Sequence, residues 1–368
     1  MNNANKRGDS IYASLYELND PDLFEALTQF GKRAHLVLAN GAFNKDKPDE
    51  NKKARAALKK LKTIEVINRM VTSGHFAHNK FVAICDKQGV AHTVITGSTN
   101  WTVTGLCTQA NNGLIIADPK VADAYRKQWD LLKAAKNDFP ASLKKANSQK
   151  KTFPVDDADV TVWFTPTQKR EDMVDARRVI NGAQEGILFL FFNPGHEQEK
   201  EADWTLLQSV LNRHNPNAGD LFNTDLYIRG VVNQTIAGLT EGTGTAPKGK
   251  KAPKSPVKLF TGGAEPPERM SKDVLVPAAI KAKFGHWVEE LLSVGVMVHS
   301  KVVVIDPFGE HPVLITGSHN LGVKASRAND DNMVIVEGPG ARAGDCLCSQ
   351  HHRDLPGIPL AALRCHAR

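Results

Sequence analysis

A long segment occurs twice, and it constrains the fold more than anything else in the chain. Residues 78–101 read HNKFVAICDKQGVAHTVITGSTNW, and residues 299–321 read HSKVVVIDPFGEHPVLITGSHNL. Each copy is His-x-Lys, an apolar run, an Asp, a turn, a second apolar run and Gly-Ser-x-Asn. Two copies with nearly the same internal spacing predict a duplicated unit. The runs Phe81–Ile84 and Val302–Ile305 predict buried strands, and Thr93–Thr96 and Val313–Thr316 predict the strands that return. Residues i and i+2 of a strand point the same way. His78 with Lys80, and His299 with Lys301, therefore each aim an imidazole and an ammonium at one spot. The turns Gly97-Ser98-Thr99-Asn100 and Gly317-Ser318-His319-Asn320 offer N–H, hydroxyl and amide donors to an anion. If the units face each other, two Lys, two Asn and two Ser surround one anion, with a His on either side. That arrangement suits in-line displacement at phosphorus, one His attacking while the other protonates the leaving oxygen.

These two copies resemble the H-x-K…D…G-S-x-N motifs of the phospholipase D superfamily. The second has the usual His-x-Lys-x4-Asp spacing, ending at Asp306. The first has one extra residue before Asp86. The resemblance spans residues 10–337 and implies a bilobal α/β/α fold with mixed sheets, a covalent phosphohistidine and no metal or other cofactor. Carried over residue by residue, one of His78 and His299 is the nucleophile and the other the general acid. Lys80, Lys301, Asn100 and Asn320 bind phosphate oxygens, with Ser98 and Ser318 in support, and Asp86 and Asp306 are structural.

The family usually places an acidic residue a short way after Gly-Ser-x-Asn to orient the His. Asp331 fits in the second half. The matching stretch of the first half, Gln109-Ala110-Asn111-Asn112, holds no carboxylate. Asn111 can accept an N–H but carries no charge. On this reading the support of His78 is uncharged. Family habit favours the N-terminal His as nucleophile and the carboxylate favours His299, so the assignment stays open.

A chain of 368 residues accommodates two domains or one bilobal domain. The sequence divides into a first lobe at 1–137, a linker at 138–158, a second lobe at 159–337 and an aberrant tail at 338–368. The net charge of +7 is clustered. Lys52, Lys53, Arg55, Lys59, Lys60 and Lys62 share one predicted helix, Lys144, Lys145, Lys150 and Lys151 the linker, and Lys248, Lys250, Lys251, Lys254 and Lys258 a Gly/Pro-rich loop. Solvated surface is the favoured reading; attraction to nucleic acid or an anionic membrane surface is the other. No segment is long and apolar enough to span a bilayer, and the start lacks a signal-peptide core, so the chain as written reads as cytoplasmic. The five Cys form no secreted disulfide framework. Cys85 and Cys107 read as packing residues. No obligate protein partner is implied.

The halves align beyond the motifs. Ser10–Leu18 parallels Gly186–Phe192, Asp22–Gly31 parallels Trp204–Arg213, and Arg33–Ala39 parallels Asp225–Arg229. The strand Val160–Phe164 and helix Arg170–Gly182 have no counterpart in the first half, which predicts that the chain begins too late. The tail has no regular period and three of the five Cys. Cys346, Cys348, His351, His352, Cys365 and His366 match no good zinc spacing. A frameshift near Gly338 is the preferred explanation, since reading from the second base of each codon permits an apolar helix. His75, His92 and His311 read as loop or strand-edge residues, and Asn193-Pro194-Gly195-His196 as a plain turn. His319 and Trp101 are each as consistent with a pocket wall as with packing, and Gly238–Ser255 reads as a flexible insertion. The function expected is metal-independent phosphodiester hydrolysis or transfer on a phospholipid. A nuclease is the alternative enzyme, and an inactive remnant of a truncated gene the alternative of another class.

Overall fold

The computed structural model describes residues 1–42, 48–195, 198, 200–232 and 297–341, together with the backbone of residues 361–364. The strands in chain order are β1 (Ser10–Leu15), β2 (Ala34–Ala39), β3 (Glu65–Arg69), β4 (Phe76–Ala77), β5 (Lys80–Cys85), β6 (Ala91–Gly97), β7 (Gln109–Ala110), β8 (Asn112–Ile116) and β9 (Lys151–Val155). They continue with β10 (Ala158–Thr165), β11 (Gly186–Phe191), β12 (Tyr227–Val232), β13 (Met297–Val298), β14 (Val302–Ile305), β15 (Val313–Gly317), β16 (Asn329–Glu337) and β17 (Ala361–Arg364). The helices are α1 (Asn2–Arg7), α2 (Pro21–Thr28), α3 (Lys52–Leu61), α4 (Val103–Cys107), α5 (Pro119–Ala135), α6 (Ala141–Asn147), α7 (Glu171–Asn181), α8 (Leu206–Asn212) and α9 (Val323–Ala328).

Two mixed sheets share one strand order. The first runs β17-β8-β6-β5-β1-β2-β3, and the second runs β9-β10-β16-β15-β14-β11-β12. Strand for strand, β8, β6, β5, β1 and β2 answer to β16, β15, β14, β11 and β12. Each motif is an antiparallel hairpin inside its sheet, β5 with β6 and β14 with β15. Each hairpin lies between an antiparallel neighbour on one side (β1, β11) and another on the other (β8, β16). This is why the apolar runs are continuous: all six residues of β5 are buried.

Helices cover the outer face of each sheet, and α5 lies between the sheets. Its Val121, Tyr125, Trp129 and Leu132 join Phe81, Ala83 and Leu114 of the first sheet to Val160, Val162, Phe164 and Val334 of the second in one core. Tyr125 and Trp129 are fully buried and partnered, the Tyr125 hydroxyl donating to Asn332 Oδ1 and the Trp129 indole to the Ala13 carbonyl. On the outer side of the second sheet, Met173, Ala176, Val179 and Ile180 of α7 and Leu207 and Val210 of α8 close a separate core.

The structure departs from the sequence reading at Cys107 and adds two features to it. The stretch 138–158 is structured: it holds α6, then β9, which pairs antiparallel with β10. Lys150 pairs with Asp175, and Lys151 donates to the Ala146 and Gln149 carbonyls. A charge run there hid a hairpin. Cys107 is exposed at the end of α4, whereas Cys85 is buried as expected. The place beside β8 that β10 fills beside β16 is taken by β17, from the tail, running parallel instead of antiparallel. The rest of the tail, residues 342–360 and 365–368, lies outside the described residues, as do His196 and the Gly238–Ser255 stretch with its lysines. The helix rich in lysine is α3; it buries Ala54 and Leu58 and turns Lys52, Lys53, Lys59 and Lys60 to solvent. Among the described residues no helix is long and apolar enough to cross a membrane.

Candidate active site

The two His-x-Lys units meet where the sheets face each other. His78, Lys80, His299 and Lys301 are all buried. Each Lys turns its ammonium back onto its own motif: Lys80 Nζ donates to the His78 carbonyl at 2.7 Å, and Lys301 Nζ to the His299 carbonyl at 2.5 Å. The glycine of each Gly-Ser-x-Asn sits at positive φ, 147° at Gly97 and 134° at Gly317. A Cβ there would strike the carbonyl of Asn112 or Asn332. Only glycine lets β6 and β15 pass so close to β8 and β16. The following serines then bond to those neighbours. Ser98 Oγ accepts from Asn112 N–H and donates to Asn111 Oδ1 at 2.7 Å; Ser318 Oγ accepts from Asn332 N–H and donates to Asp331 Oδ1 at 2.7 Å.

The orienting groups cross between lobes, which reverses the sequence assignment. Asp331 does not hold His299; it accepts from His78 Nδ1 at 2.8 Å. Asn111 holds His299, its Oδ1 lying 2.7 Å from Nδ1. The backbone repeats the exchange: His78 N–H donates to the Asp330 carbonyl and His299 N–H to the Ala110 carbonyl. Short parallel pairings of β4 with β16 and of β13 with β7 bring these groups together. A third exchange follows from side chains that the sequence reading passed over. Asn112 Nδ2 donates to Thr316 Oγ1 at 2.6 Å, and Thr96 Oγ1 donates to Asn332 Oδ1 at 2.8 Å. Aligning the copies would have found them, since Thr96 matches Thr316 and Asn112 matches Asn332.

Other residues of the site were also missed. Tyr16 and Phe192, each just after the strand that neighbours a motif hairpin, stand edge-on to a histidine. Ring centroids are 4.6 Å apart for Tyr16 and His78, and 4.4 Å for Phe192 and His299. Lys80 Nζ lies 4.7 Å from the Tyr16 ring centre and Lys301 Nζ 4.4 Å from that of Phe192. Cation–π attraction thus holds each ammonium where it has little water. Arg69 of β3 is fully buried, pairs with Asp330, and donates to the Lys136 and Asp138 carbonyls. A lone Arg at a strand end carries no sequence signal for this.

Burial governs the electrostatics. It pushes His78 down to about 4, with Lys80 adding to the effect and Asp331 opposing it. His299 is lowered too, first by burial, then by Lys301, Lys80 and His78. Burial brings Lys80 down to about 7 against Asp331 and Glu17, and it holds Lys301 well below its ordinary value, with Lys80 adding. Burial alone would raise Asp331, but His78 beside it holds the carboxyl below its ordinary range. Basic groups thus crowd a centre short of water, and an entering phosphate anion would favour their charged forms.

The remaining candidates divide. Asn100 and Asn320 each keep a buried side-chain Oδ1 with no hydrogen-bond partner. Asn320 borders a cleft of about 520 Å³ with Phe76, Asn193, Pro194, Gly195 and Lys324, so the turn read as plain lines the cleft. Asp86 and Asp306 bond to backbone: Asp86 Oδ1 accepts from Gln88 and Val90 N–H in the hairpin turn, and Asp306 from Gln184, Glu185 and Gly186 N–H. His319 is fully buried, with Nε2 3.2 Å from Asp172. Trp101 packs against the outer core of the first sheet, and its carbonyl accepts from Asn19 and Asp20 N–H. His75 bonds to the Ala328 carbonyl and stacks on Phe139. His92 and His311 stay at a strand edge and a loop.

Comparison with known proteins agrees with the motifs. Residues 1–132 match the family described as "Cardiolipin synthase, PLD-like domain". No curated protein matches the chain. Among solved structures, phosphatidylserine synthase from Haemophilus influenzae superposes with a TM-score of 0.53 at 10% identity, covering 94% of this chain and 81% of that one. Polyphosphate kinase from Porphyromonas gingivalis gives a TM-score of 0.50 at 12% identity, covering 98% of this chain and 50% of that one. The chain thus spans about half the length of that kinase. A phospholipase D family member, Nuc from Salmonella typhimurium, is 20% identical over 38% of this chain and 89% of its own, with a TM-score of 0.29. The chain thus shares its fold with that phosphatidylserine synthase, and residues 1–132 match a PLD-like domain.

Proposed function

We propose that this phospholipase D-like chain is a phosphodiesterase that works through a covalent phosphohistidine, with His78 as nucleophile and His299 as general acid, on a phospholipid. The observation that carries the reading is the pair of facing His-Lys-Ser units, of which only the His78 unit has a carboxylate on its imidazole. Attack by His78 Nε2 on phosphorus leaves a cationic ring whose remaining proton sits on Nδ1. Asp331 at Nδ1 stabilises that charge. As the phosphorus–oxygen bond breaks, His299 Nε2 gives its proton to the leaving oxygen. In the second half, neutral His299 takes a proton from water or an alcohol. That oxygen attacks phosphorus, and the bond to His78 breaks. Lys80, Lys301, Asn100 and Asn320 supply donors to the equatorial oxygens.

The test is hydrolysis of an aryl phosphodiester in excess chelator by the parent, His78→Ala and His299→Ala. Both variants should lose at least a hundredfold in kcat/KM. A His299→Ala protein incubated with substrate should also accumulate phosphorus on His78, because the second step lacks its base. An inert parent with a cooperative thermal melt would refute the enzymatic reading. With natural substrates, turnover should rise at a micelle surface. A steep fall in rate with salt on single-stranded DNA would instead favour the nuclease.

A further inference from the structure

Asn111 and Asp331 are equivalent residues that differ by one atom. Each follows its motif at the same distance, each takes the proton of its motif serine, and each receives an imidazole Nδ1 from the opposite lobe. The Asn111 amide has a defined orientation, since Nδ2 donates to the Gly105 carbonyl at 2.8 Å. Its Oδ1 must therefore be the atom facing His299. Ser98 cannot donate to His299 instead, because its proton goes to that same Oδ1. An amide oxygen can only accept, so neutral His299 carries its proton on Nδ1; the Ser98 backbone, which also bonds to the ring, favours its protonated form but adds no charge. Asp331 imposes the same tautomer on His78 but adds a charge.

We propose that Asn111 is a positioning residue for His299: a neutral acceptor that fixes the ring and its tautomer while withholding the charge that would stabilise the imidazolium. This rests on His299 being the proton donor of the proposed reaction. The charged groups nearest the ring are Lys301 on its own segment and Lys80 and His78 from the first lobe; Asp331 is turned to His78. With no carboxylate at Nδ1, protonated His299 is a strong acid. Such an acid suits a poor leaving group, the alkoxide of an aliphatic alcohol, at the cost of being protonated only at the acid end of the pH range. Assigning a carboxylate to one ring and an amide to the other thereby separates two otherwise similar histidines into attacker and donor.

Asn111→Asp tests this in the intact chain. Ring nitrogen NMR of the unliganded protein, with His299 assigned through His299→Gln, should show the Nδ1–H tautomer in the parent. In Asn111→Asp the imidazolium should persist to a pH about 1–3 units higher. The descending limb of kcat/KM against pH should move up by a similar amount, so that the variant overtakes the parent above that limb by about tenfold or more. A purely structural role would lower the whole profile without moving the limb. A folded Asn111→Asp in which the His299 titration does not move overturns the proposal, as does the opposite tautomer in the parent. If the Asp variant gives no cooperative melt, Asn111→Ala decides. Without the acceptor, neutral His299 should become a mixture of tautomers, and a pure Nδ1–H form would overturn the proposal. Should the parent hydrolyse nothing, the phosphodiesterase reading fails, while the ring titration still decides the role of Asn111.

Discussion

Replacing Arg69 by Met should cost this protein stability in a pH-dependent way. Arg69 and Asp330 are both fully buried, and the guanidinium also serves two backbone carbonyls from the segment that joins the lobes. Removing one partner of a buried pair leaves the other uncompensated, typically about 3–5 kcal/mol. The unserved Lys136 and Asp138 carbonyls add roughly 1 kcal/mol each where water does not reach them. Asp330 can escape part of this by taking a proton. Burial already raises its pKa while Arg69 holds it down, so losing Arg69 raises it further. A carboxyl whose folded-state pKa lies above the unfolded value gives its full stability below the unfolded value and loses it as pH rises. The gap between Arg69→Met and the parent should therefore be widest near pH 7 and narrow toward pH 4. Urea unfolding followed by tryptophan fluorescence at pH 7 and pH 5 measures it. Arg69→Met with Asp330→Leu should be more stable than Arg69→Met alone, because no charge is left buried. A loss under about 1 kcal/mol at pH 7, a gap that does not shrink on acidification, or a double variant worse than the single would refute the reasoning.

Two further outcomes concern the histidines. Asp331→Asn gives both rings a neutral acceptor; it should lower kcat by roughly a hundredfold or more and slow formation of the phosphohistidine in rapid quench. The pKa of His78, lowered from 6.5 to about 4, makes the folded state bind fewer protons than the unfolded chain between those values. Stability should fall as pH drops through that window, by about 3 kcal/mol for this ring, and His78→Gln should remove that share of the acid lability.

The sequence revealed the pieces of the site better than their wiring. His-x-Lys on a strand and Gly-Ser-x-Asn after the next one were legible because period-two geometry and a positive-φ glycine act locally. The duplication made a two-sided site a sound expectation. Which lobe supplies Asp331 to which ring was not legible, because both answers have the same spacing along the chain. Only the pairing of β4 with β16 and β13 with β7 decides it, and each of those pairings spans two residues. Arg69, Tyr16 and Phe192 were missed for a related reason: each acts through one tertiary contact and leaves no pattern. The hairpin β9–β10 was hidden by lysines that turned out to have named partners.

The exchange of orienting groups has a consequence for how such a protein fails. Neither imidazole is set up by the lobe that carries it. A small rotation of one lobe on the other would unhook both rings, both serine-backed acceptors and the buried Arg69 contact in a single event. Graded loosening should thus not yield a slower enzyme with one healthy histidine. Activity becomes a vote that must be unanimous, and the interface between the sheets, not either motif, is where drift in the sequence would first be felt.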